Sequence, residues 1–393
     1  MNILIGSSSA LNRGSGIRTY VEIISREMTR QGHNVYYACP YADGMLEQMN
    51  SDNAYYLNVS QDLNPSRSLN EILNYIQDKS IDFVINNDNP FIAMAAPRLQ
   101  CPIISIGHLA TTSIAALVCY EHQWIDYVVA ISEDMKATFA DKFGVPQSKI
   151  RIVYNGVEAQ AAPPQRNDSQ CLNLVFAGGL NKRKGGDKVL TSVLKGQEHW
   201  QGMHLHWFGE IDEVTKIQLD DLDFVTCYGK VSRSTFIERI ADSDVLLLPS
   251  VSEGCPMVML EAMSYGVVPL ASDGKGAMSR LVIHGEEGFI CSLRLWQSQM
   301  FSCLNFLRDN PAALKSMSDA VYRRQKMEFT IQHVVERLLK LGRSPVVNRT
   351  SMPSSIKLLK WHRPIAKNGK APLLDRLAIK TGRLRRAGKI DYS

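Results

Sequence analysis

What the sequence lacks narrows it first. No apolar run approaches the roughly 18 residues that span a bilayer, and the start, Met1-Asn2-Ile3-Leu4-Ile5-Gly6, enters a strand with neither a basic n-region nor a cleavage site. A secretory signal is therefore not expected, and the chain is expected to stay in the cytoplasm. The 8 cysteines are scattered without Cys-x-x-Cys spacing, which argues against zinc and for reduced, mostly buried thiols. A complete Gly-x-Gly-x-x-Gly is missing as well. In Asn12-Arg13-Gly14-Ser15-Gly16-Ile17 the third glycine is replaced by Thr19, so a nicotinamide-binding fingerprint fits poorly. The two glycines before a helix would still let backbone approach a ligand, though an ordinary turn reads equally well. Paired acids suited to a metal are sparse: Asp221-Leu222-Asp223 and Asp242-Ser243-Asp244 look like boundary residues, so no metal and no cofactor is expected.

What is present is a soluble, two-core composition. At 393 residues, 45% hydrophobic and 21% charged, the chain should hold two domains of ordinary size. The net charge of +5 conceals a split, because thirteen cations against two acids from Arg343 onward make a tail of +11 on a body of −6. An acidic body argues against nucleic acid as a partner, and the basic tail suggests an anionic membrane surface. A basic tail without a partner reads equally well.

Strand-like and helix-like segments alternate from the start. Asn2 to Gly6, a helix over Ile17 to Gln31 ending at Gly32, and Asn34 to Ala38 make a βαβ opening. Further strands are expected at 82–85, 103–106, 127–130 and 150–153, with helices near 68–79, 90–99, 114–123 and 133–143. After Asn155-Gly156-Val157 a polar, Pro- and Ala-rich stretch reads as a linker. A second series then places strands at 172–177, 204–208, 225–228, 245–249 and 267–271, with helices near 186–194, 215–219, 232–241, 256–265 and 278–283. The expected division is 1–158, a linker over 159–170, a second domain over 171–342 and a basic tail over 343–393. Such alternation predicts doubly wound parallel sheets, whose ligands bind at the carboxyl ends of the strands.

Three strand ends carry the candidate chemistry. The apolar run Val245 to Leu248 is followed by Pro249-Ser250, a Glu253-Gly254-Cys255 turn and a helix with Pro256 expected in its first turn. Glu253 falls on the loop and Glu261 two turns into the helix, and the N–H groups near Cys255, Pro256, Met257 and Val258 form a cradle suited to phosphate. A core helix with two solvated glutamates is the plainer alternative. In Gly178-Gly179-Leu180-Asn181-Lys182-Arg183-Lys184-Gly185, three consecutive cations at a strand end are costly to cluster unless an anion neutralises them. A solvated basic turn is the alternative there. His108 closes the strand read over 101–107, where a lone histidine is more often a structural residue than a functional one, and its place on a strand-end loop raises the functional reading only modestly.

Taken together these residues resemble retaining glycosyltransferases of family 4, with the B-type fold of two Rossmann-like α/β domains facing each other across a cleft. Pro249 to Met263 resembles that family's Glu-x7-Glu signature. Gly14-Ser15-Gly16 with Gly32-His33-Asn34-Val35, Asp126 to Ser132, Ile150 to Val157 and Arg183-Lys184-Gly185 resemble its other landmarks, in order, over roughly residues 1–342. The resemblance implies a nucleotide-diphosphate sugar donor on the second domain and a glycan or lipid-linked sugar acceptor on the first. Glu261 would hold the ribose hydroxyls, Glu253 the donor sugar's hydroxyls, and Arg183 with Lys184 the diphosphate. His108 would contact the donor sugar, Gly14 to Gly16 would lie against phosphates and acceptor, Gly178 would belong to the phosphate loop, and the backbone of Tyr228, Gly229 and Lys230 would meet the base. Anomeric configuration would be retained without a metal, in cell-surface polysaccharide synthesis at the inner face of the membrane. An isomerase or phosphorylase on the same fold, or a sugar-nucleotide-binding protein without catalysis, are the competing readings. One departure stands out: many members carry arginine where this chain has Gly179, which leaves Lys182 or Arg183 to supply that charge.

Overall fold

The computed structural model describes residues 1–7, 16–38, 65–109, 111–161 and 171–347. The chain divides into two compact units, Met1–Val153 with the chain from Val334 onward, and Tyr154–His333. The expected linker lies outside the described residues from 162 to 170, as do Gly14, Ser15 and the basic tail from 348 onward.

Unit 1 is a six-stranded parallel sheet made of β1 (Asn2–Ser7), β2 (Asn34–Ala38), β3 (Phe83–Asn87), β4 (Ile103–Ile106), β5 (Tyr127–Ala130) and β6 (Ile150–Ile152), in the order β2-β1-β3-β4-β5-β6. Ile3, Leu4, Phe83, Val84, Ile85, Ile103, Ile104, Val128 and Val129 are fully buried, the continuous apolar reading expected of strands covered on both faces. The crossovers are α1 (Gly16–Arg30), α2 (Pro65–Asp78), α3 (Pro90–Ala95), α4 (Thr112–Val118) and α5 (Glu133–Phe143). The order places a switch point between β1 and β3, since the chain leaves β1 toward one edge and then continues toward the other. The helix expected over 114–123 is shorter than its apolar pattern and ends at Val118, with Cys119 as its C-cap.

Unit 2 contains β7 (Leu172–Ala177), α6 (Gly186–Lys195), β8 (Met203–Phe208), α7 (Glu213–Asp220), β9 (Val225–Gly229), α8 (Arg233–Ala241), β10 (Val245–Leu248), β11 (Ser252–Glu253), α9 (Met257–Ser264), β12 (Val268–Ser272), β13 (Lys275–Gly276), α10 (Met278–Leu281) and β14 (Phe289–Cys291). Its main sheet runs β14-β12-β10-β7-β8-β9, all parallel. That is the Rossmann order, with the switch point between β7 and β10. Trp200, Trp207, Phe176 and Leu247 sit in its core. Asp221 and Asp242 cap the ends of α7 and α8, and Asp244 accepts the Asn173 N–H at 2.8 Å, so both acidic pairs serve element boundaries.

The alternating pattern read from the sequence stops at Ile283, and the structure continues past it. Beyond β14 come α11 (Trp296–Asp309), α12 (Pro311–Glu328) and α13 (Ile331–Gly342). The last of these carries the chain from unit 2 back to unit 1, where a Cβ on Gly342 would fall 2.8 Å from the Phe83 ring. The following segment is held by buried Asp126, whose Oδ1 accepts the N–H groups of Val346 and Val347 at 3.0 Å each. Among the described residues no helix is long and apolar enough to cross a membrane.

Candidate functional site

Unit 2 builds its site at the switch point. After β7 the chain turns at Gly178 and Gly179, whose N–H groups both donate to Phe208 O, at 3.1 and 3.0 Å. A Cβ on Gly178 would meet Lys184 Cβ at 2.8 Å, so glycine here lets the turn fold back onto the cations. Lys182–Lys184 form a single 3-10 turn, capped by Asn181, whose side chain accepts the Lys184 N–H at 3.2 Å. Gly179 explains the missing arginine. It sits at φ +54°, and a Cβ there would lie 2.4 Å from Glu210 O and 2.9 Å from Glu210 N. A side chain cannot enter without moving that backbone, and the positive charge comes from the next turn instead.

The next turn delivers it to Glu253. Lys184 Nζ lies 2.6 Å from Glu253 Oε1, and Arg183 Nη1 lies 3.6 Å from Oε2. Arg183 also donates to Ser252 O at 2.8 Å, and Ser250 Oγ donates to Glu253 Oε1 at 3.0 Å. The glutamate side chain is only 8% exposed while Arg183 is 48% exposed. The carboxylate is thus buried with its charge matched, and the arginine remains open to solvent. Glu253 is not a free loop residue, because β11 pairs in parallel with β13, Glu253 opposite Gly276. Gly276 has φ +112°, and its absent Cβ would fall 1.4 Å from Glu253 O. The strand pair therefore requires glycine at that position.

Helix α9 begins one residue later than its proline suggested. Pro256 is the N-cap, at φ −69° and ψ 113°, and Met257 and Val258 form the first turn. Their N–H groups have no acceptor within the helix, and they carry its positive dipole end. Glu261 is accordingly just over one turn into the helix, not two. It is nearly buried and bound to Arg233 Nη2 at 2.5 Å. Cys255 is held at two points by Asn155, whose Nδ2 donates to Cys255 O at 2.9 Å and whose backbone N–H reaches the sulfur. Burial pushes the Cys255 thiol up to about 12, so it stays protonated at neutral pH.

Tyr228 stacks on Phe208, with ring centroids 4.5 Å apart, and its hydroxyl lies 3.1 Å from His206 Nδ1. Burial and the neighbouring His204 push His206 down to about 4. Lys230 pairs with Glu210 at 2.5 Å, both well exposed.

In unit 1, His108 stands just past the end of β4, beside the switch point of that sheet. Its Nε2 lies 2.9 Å from Asn87 Oδ1, and Tyr20 packs its ring edge against it at 4.7 Å. Burial pushes His108 down to about 4. Gly16 opens α1. The structure therefore gathers Gly178, Arg183, Lys184, Glu253, Cys255, Pro256, Met257, Val258 and Glu261 within one unit, and places His108 in the other. Arg233 and Gly276 were not singled out from the sequence, and Asn155 only as part of the Asn155-Gly156-Val157 boundary and landmark, without a site role. Their signals are weak ones, since an Asn-Gly pair reads as a turn and a lone arginine as surface.

Comparison with known proteins fits this arrangement. Residues 14–161 match the family model Glycosyltransferase Family 4, and residues 172–307 match Glycosyl transferases group 1. A lipopolysaccharide 1,6-galactosyltransferase of Salmonella typhimurium is 31% identical over 160 residues, 38% of this chain and 44% of that protein. An uncharacterized glycosyltransferase of Haemophilus influenzae is 26% identical over 217 residues, 54% of this chain and 59% of that protein. The chain thus spans about half the length of these curated relatives. Among solved structures, Anabaena HepE in complex with UDP superposes with a TM-score of 0.69 at 15% identity, covering 88% of this chain and 100% of that one. The lipopolysaccharide outer core galactosyltransferase WaaB, in its apo form, gives 0.67 at 18% identity, covering 87% and 99%. The fold is that of B-type glycosyltransferases, and the two family matches support a glycosyltransferase of that fold.

Proposed function

We propose, taking as premise the glycosyltransferase fold and the family matches of both halves, that this chain is a retaining, metal-independent glycosyltransferase. It moves a sugar from a nucleotide-diphosphate donor to a glycan or lipid-linked acceptor in cell-surface polysaccharide synthesis. The observation that carries the reading is the buried Glu253 carboxylate held by Lys184 at 2.6 Å beside the open Arg183 and the first turn of α9. A carboxylate already matched by a cation is suited to accept hydrogen bonds from sugar hydroxyls. The remaining N–H donors of Lys184, Arg183 and the helix end suit the anion that departs.

Breaking a glycosyl–phosphate bond places positive charge on the sugar carbon and negative charge on the leaving diphosphate. Fixed donors aimed at that developing charge lower the barrier, and removing one costs about 10²–10³ in rate. Glu261 takes the ribose hydroxyls and the backbone at Tyr228 to Lys230 the base. Retention follows if the acceptor hydroxyl attacks the face the phosphate leaves from, giving up its proton to that phosphate. The basic tail, outside the described residues, would hold the enzyme peripherally on an anionic inner membrane surface near a lipid-linked acceptor.

HepE was solved with UDP, which makes uridine diphosphate sugars the first donors to screen. Thermal shift against nucleotide diphosphates and their sugars, followed by transfer assays with the stabilising donor, tests the reading. Saturating donor at about 100 times its Kd should add about 2.7 kcal/mol. Release of nucleotide only when a sugar acceptor is present supports transfer, whereas consumption of the donor sugar without any acceptor would indicate an isomerase.

A further inference from the structure

Four consecutive polar residues follow the apolar body of β3, and all are buried: Asn86 and Asn87 are 0% exposed, Asp88 and Asn89 1%. Each asparagine is tied to a different neighbour. Asn86 Nδ2 donates to Ser105 Oγ at 3.1 Å, Asn87 Nδ2 to Gly6 O at 3.1 Å, and Asn89 Nδ2 to Ser7 O at 3.2 Å. Asp88 between them has φ +55°, a left-handed conformation that aspartate tolerates better than most non-glycine residues. A buried cluster whose three asparagines are all hydrogen-bonded, at the switch point of a sheet, is a built feature rather than a surface accident.

The cluster determines how His108 is protonated. Gly6 O can only accept, so the Asn87 amide must turn its NH₂ toward it. That leaves Asn87 Oδ1, also only an acceptor, facing His108 Nε2 at 2.9 Å. Such a contact is attractive only if Nε2 carries a hydrogen. We propose that Asn87 is a positioning residue that fixes the His108 proton on Nε2, so that the ring offers Nδ1 as a hydrogen-bond acceptor to a sugar hydroxyl. The tautomer stands on the geometry alone, while the sugar hydroxyl rests on the glycosyltransferase reading. Among the described residues Nδ1 has no hydrogen-bond partner, and it is not one of the fully buried orphaned atoms. An acceptor lone pair there favours a ligand bearing O–H or N–H and repels a carboxylate, so a uronic acid placed against it would be rejected.

The groups around the ring keep it neutral. Tyr20 presents its ring edge, Phe139 and Met135 line the space beside Gly107, and burial is the sole cause of the low pKa. The acids flanking His108 in sequence are Asp88 and Glu121, and neither contributes to the shift.

Imidazole nitrogen NMR on the full chain, labelled with ¹⁵N in its histidine rings, reads the tautomer directly. His108→Gln identifies the His108 signals among the 9 histidines. The expected wild-type spectrum at pH 7 is a neutral ring protonated at Nε2. Asn87→Asp gives up the bond to Gly6 O but keeps an accepting oxygen toward the ring and adds a charge, so the Nε2–H form should persist while the titration midpoint rises by about one to three pH units. Asn87→Leu removes the acceptor, and the ring should populate both tautomers. A wild-type ring protonated at Nδ1, or an Asn87→Leu protein, folded by circular dichroism, that keeps a pure Nε2–H ring, overturns the proposal. If the leucine variant does not fold, the wild-type and aspartate spectra still decide. Expected spectra in a protein that transfers no sugar would leave the positioning role standing and defeat the glycosyltransferase reading instead.

Discussion

Installing the family's arginine at Gly179 should damage this protein. At φ +54° any L-residue pays the left-handed penalty of about 1–2 kcal/mol. Its Cβ would also sit 2.4 Å from Glu210 O, closer than real Cβ atoms come, and the partner is backbone with no rotamer to yield. Forcing that contact open is an overpacking change of about 1–3 kcal/mol. The total is then about 2–5 kcal/mol, which at about 2–4 °C per kcal/mol for a unit of this size lowers Tm by about 4–20 °C. Because the Cβ rather than the guanidinium is at fault, Gly179→Ala and Gly179→Arg should lose similar amounts in differential scanning calorimetry. Gly185→Ala, at φ +78° with Pro249 O 2.3 Å from its Cβ position, should behave alike. A Gly179→Ala protein melting within about one degree of wild type would refute the reasoning.

Other consequences are separately testable. Asn155→Ala removes the hydrogen bond to Cys255 O at 2.9 Å; leaving that carbonyl unpaired should cost about 1–3 kcal/mol in chemical denaturation, and donor KM should rise more than kcat falls. Cys255, buried and with its thiol pushed up to about 12, should resist iodoacetamide at pH 8 in the native state and react once unfolded, as read by mass spectrometry. His108 falls from 6.5 in the unfolded chain to about 4 when folded, so the unfolded state binds the extra proton. Its contribution is fully present above pH 6.5 and is lost as pH falls toward 4, by up to about 3 kcal/mol. Urea midpoints should decline over that window, and His108→Phe should flatten part of the decline. Arg233→Ala, which leaves the nearly buried Glu261 carboxylate unpaired, should weaken nucleotide binding in calorimetry while Arg233→Lys partly restores it.

The strands were the most legible part of the molecule. Ile103–Ile106, Tyr127–Ala130 and Leu172–Ala177 stand where the apolar runs place them, because strands buried on both faces are written as unbroken hydrophobic residues. The three helices after β14 carry wide polar faces, and nothing in them continues the strand–helix alternation. Pro311 at the start of α12 is the boundary signal that was available there. Within the site, the run of three cations and the spaced glutamates were visible because clustered charge demands a partner. Asn155, Arg233 and the Asn86 to Asn89 cluster were not. Their importance lies in which carbonyl, carboxylate or ring each one meets, and only the folded chain brings those partners together.

The reading that Lys184 and Glu253 form the donor-binding centre has one direct test. Transfer from the stabilising nucleotide sugar should be measured for wild type and Glu253→Ala, with nucleotide diphosphate affinity determined on both proteins by calorimetry. The account predicts that the alanine protein binds the nucleotide within a few fold of wild type, since the contacts proposed for Glu261 and for the base do not involve Glu253, while transfer falls by about 10²–10³ or more. Equal transfer by the two proteins would contradict it.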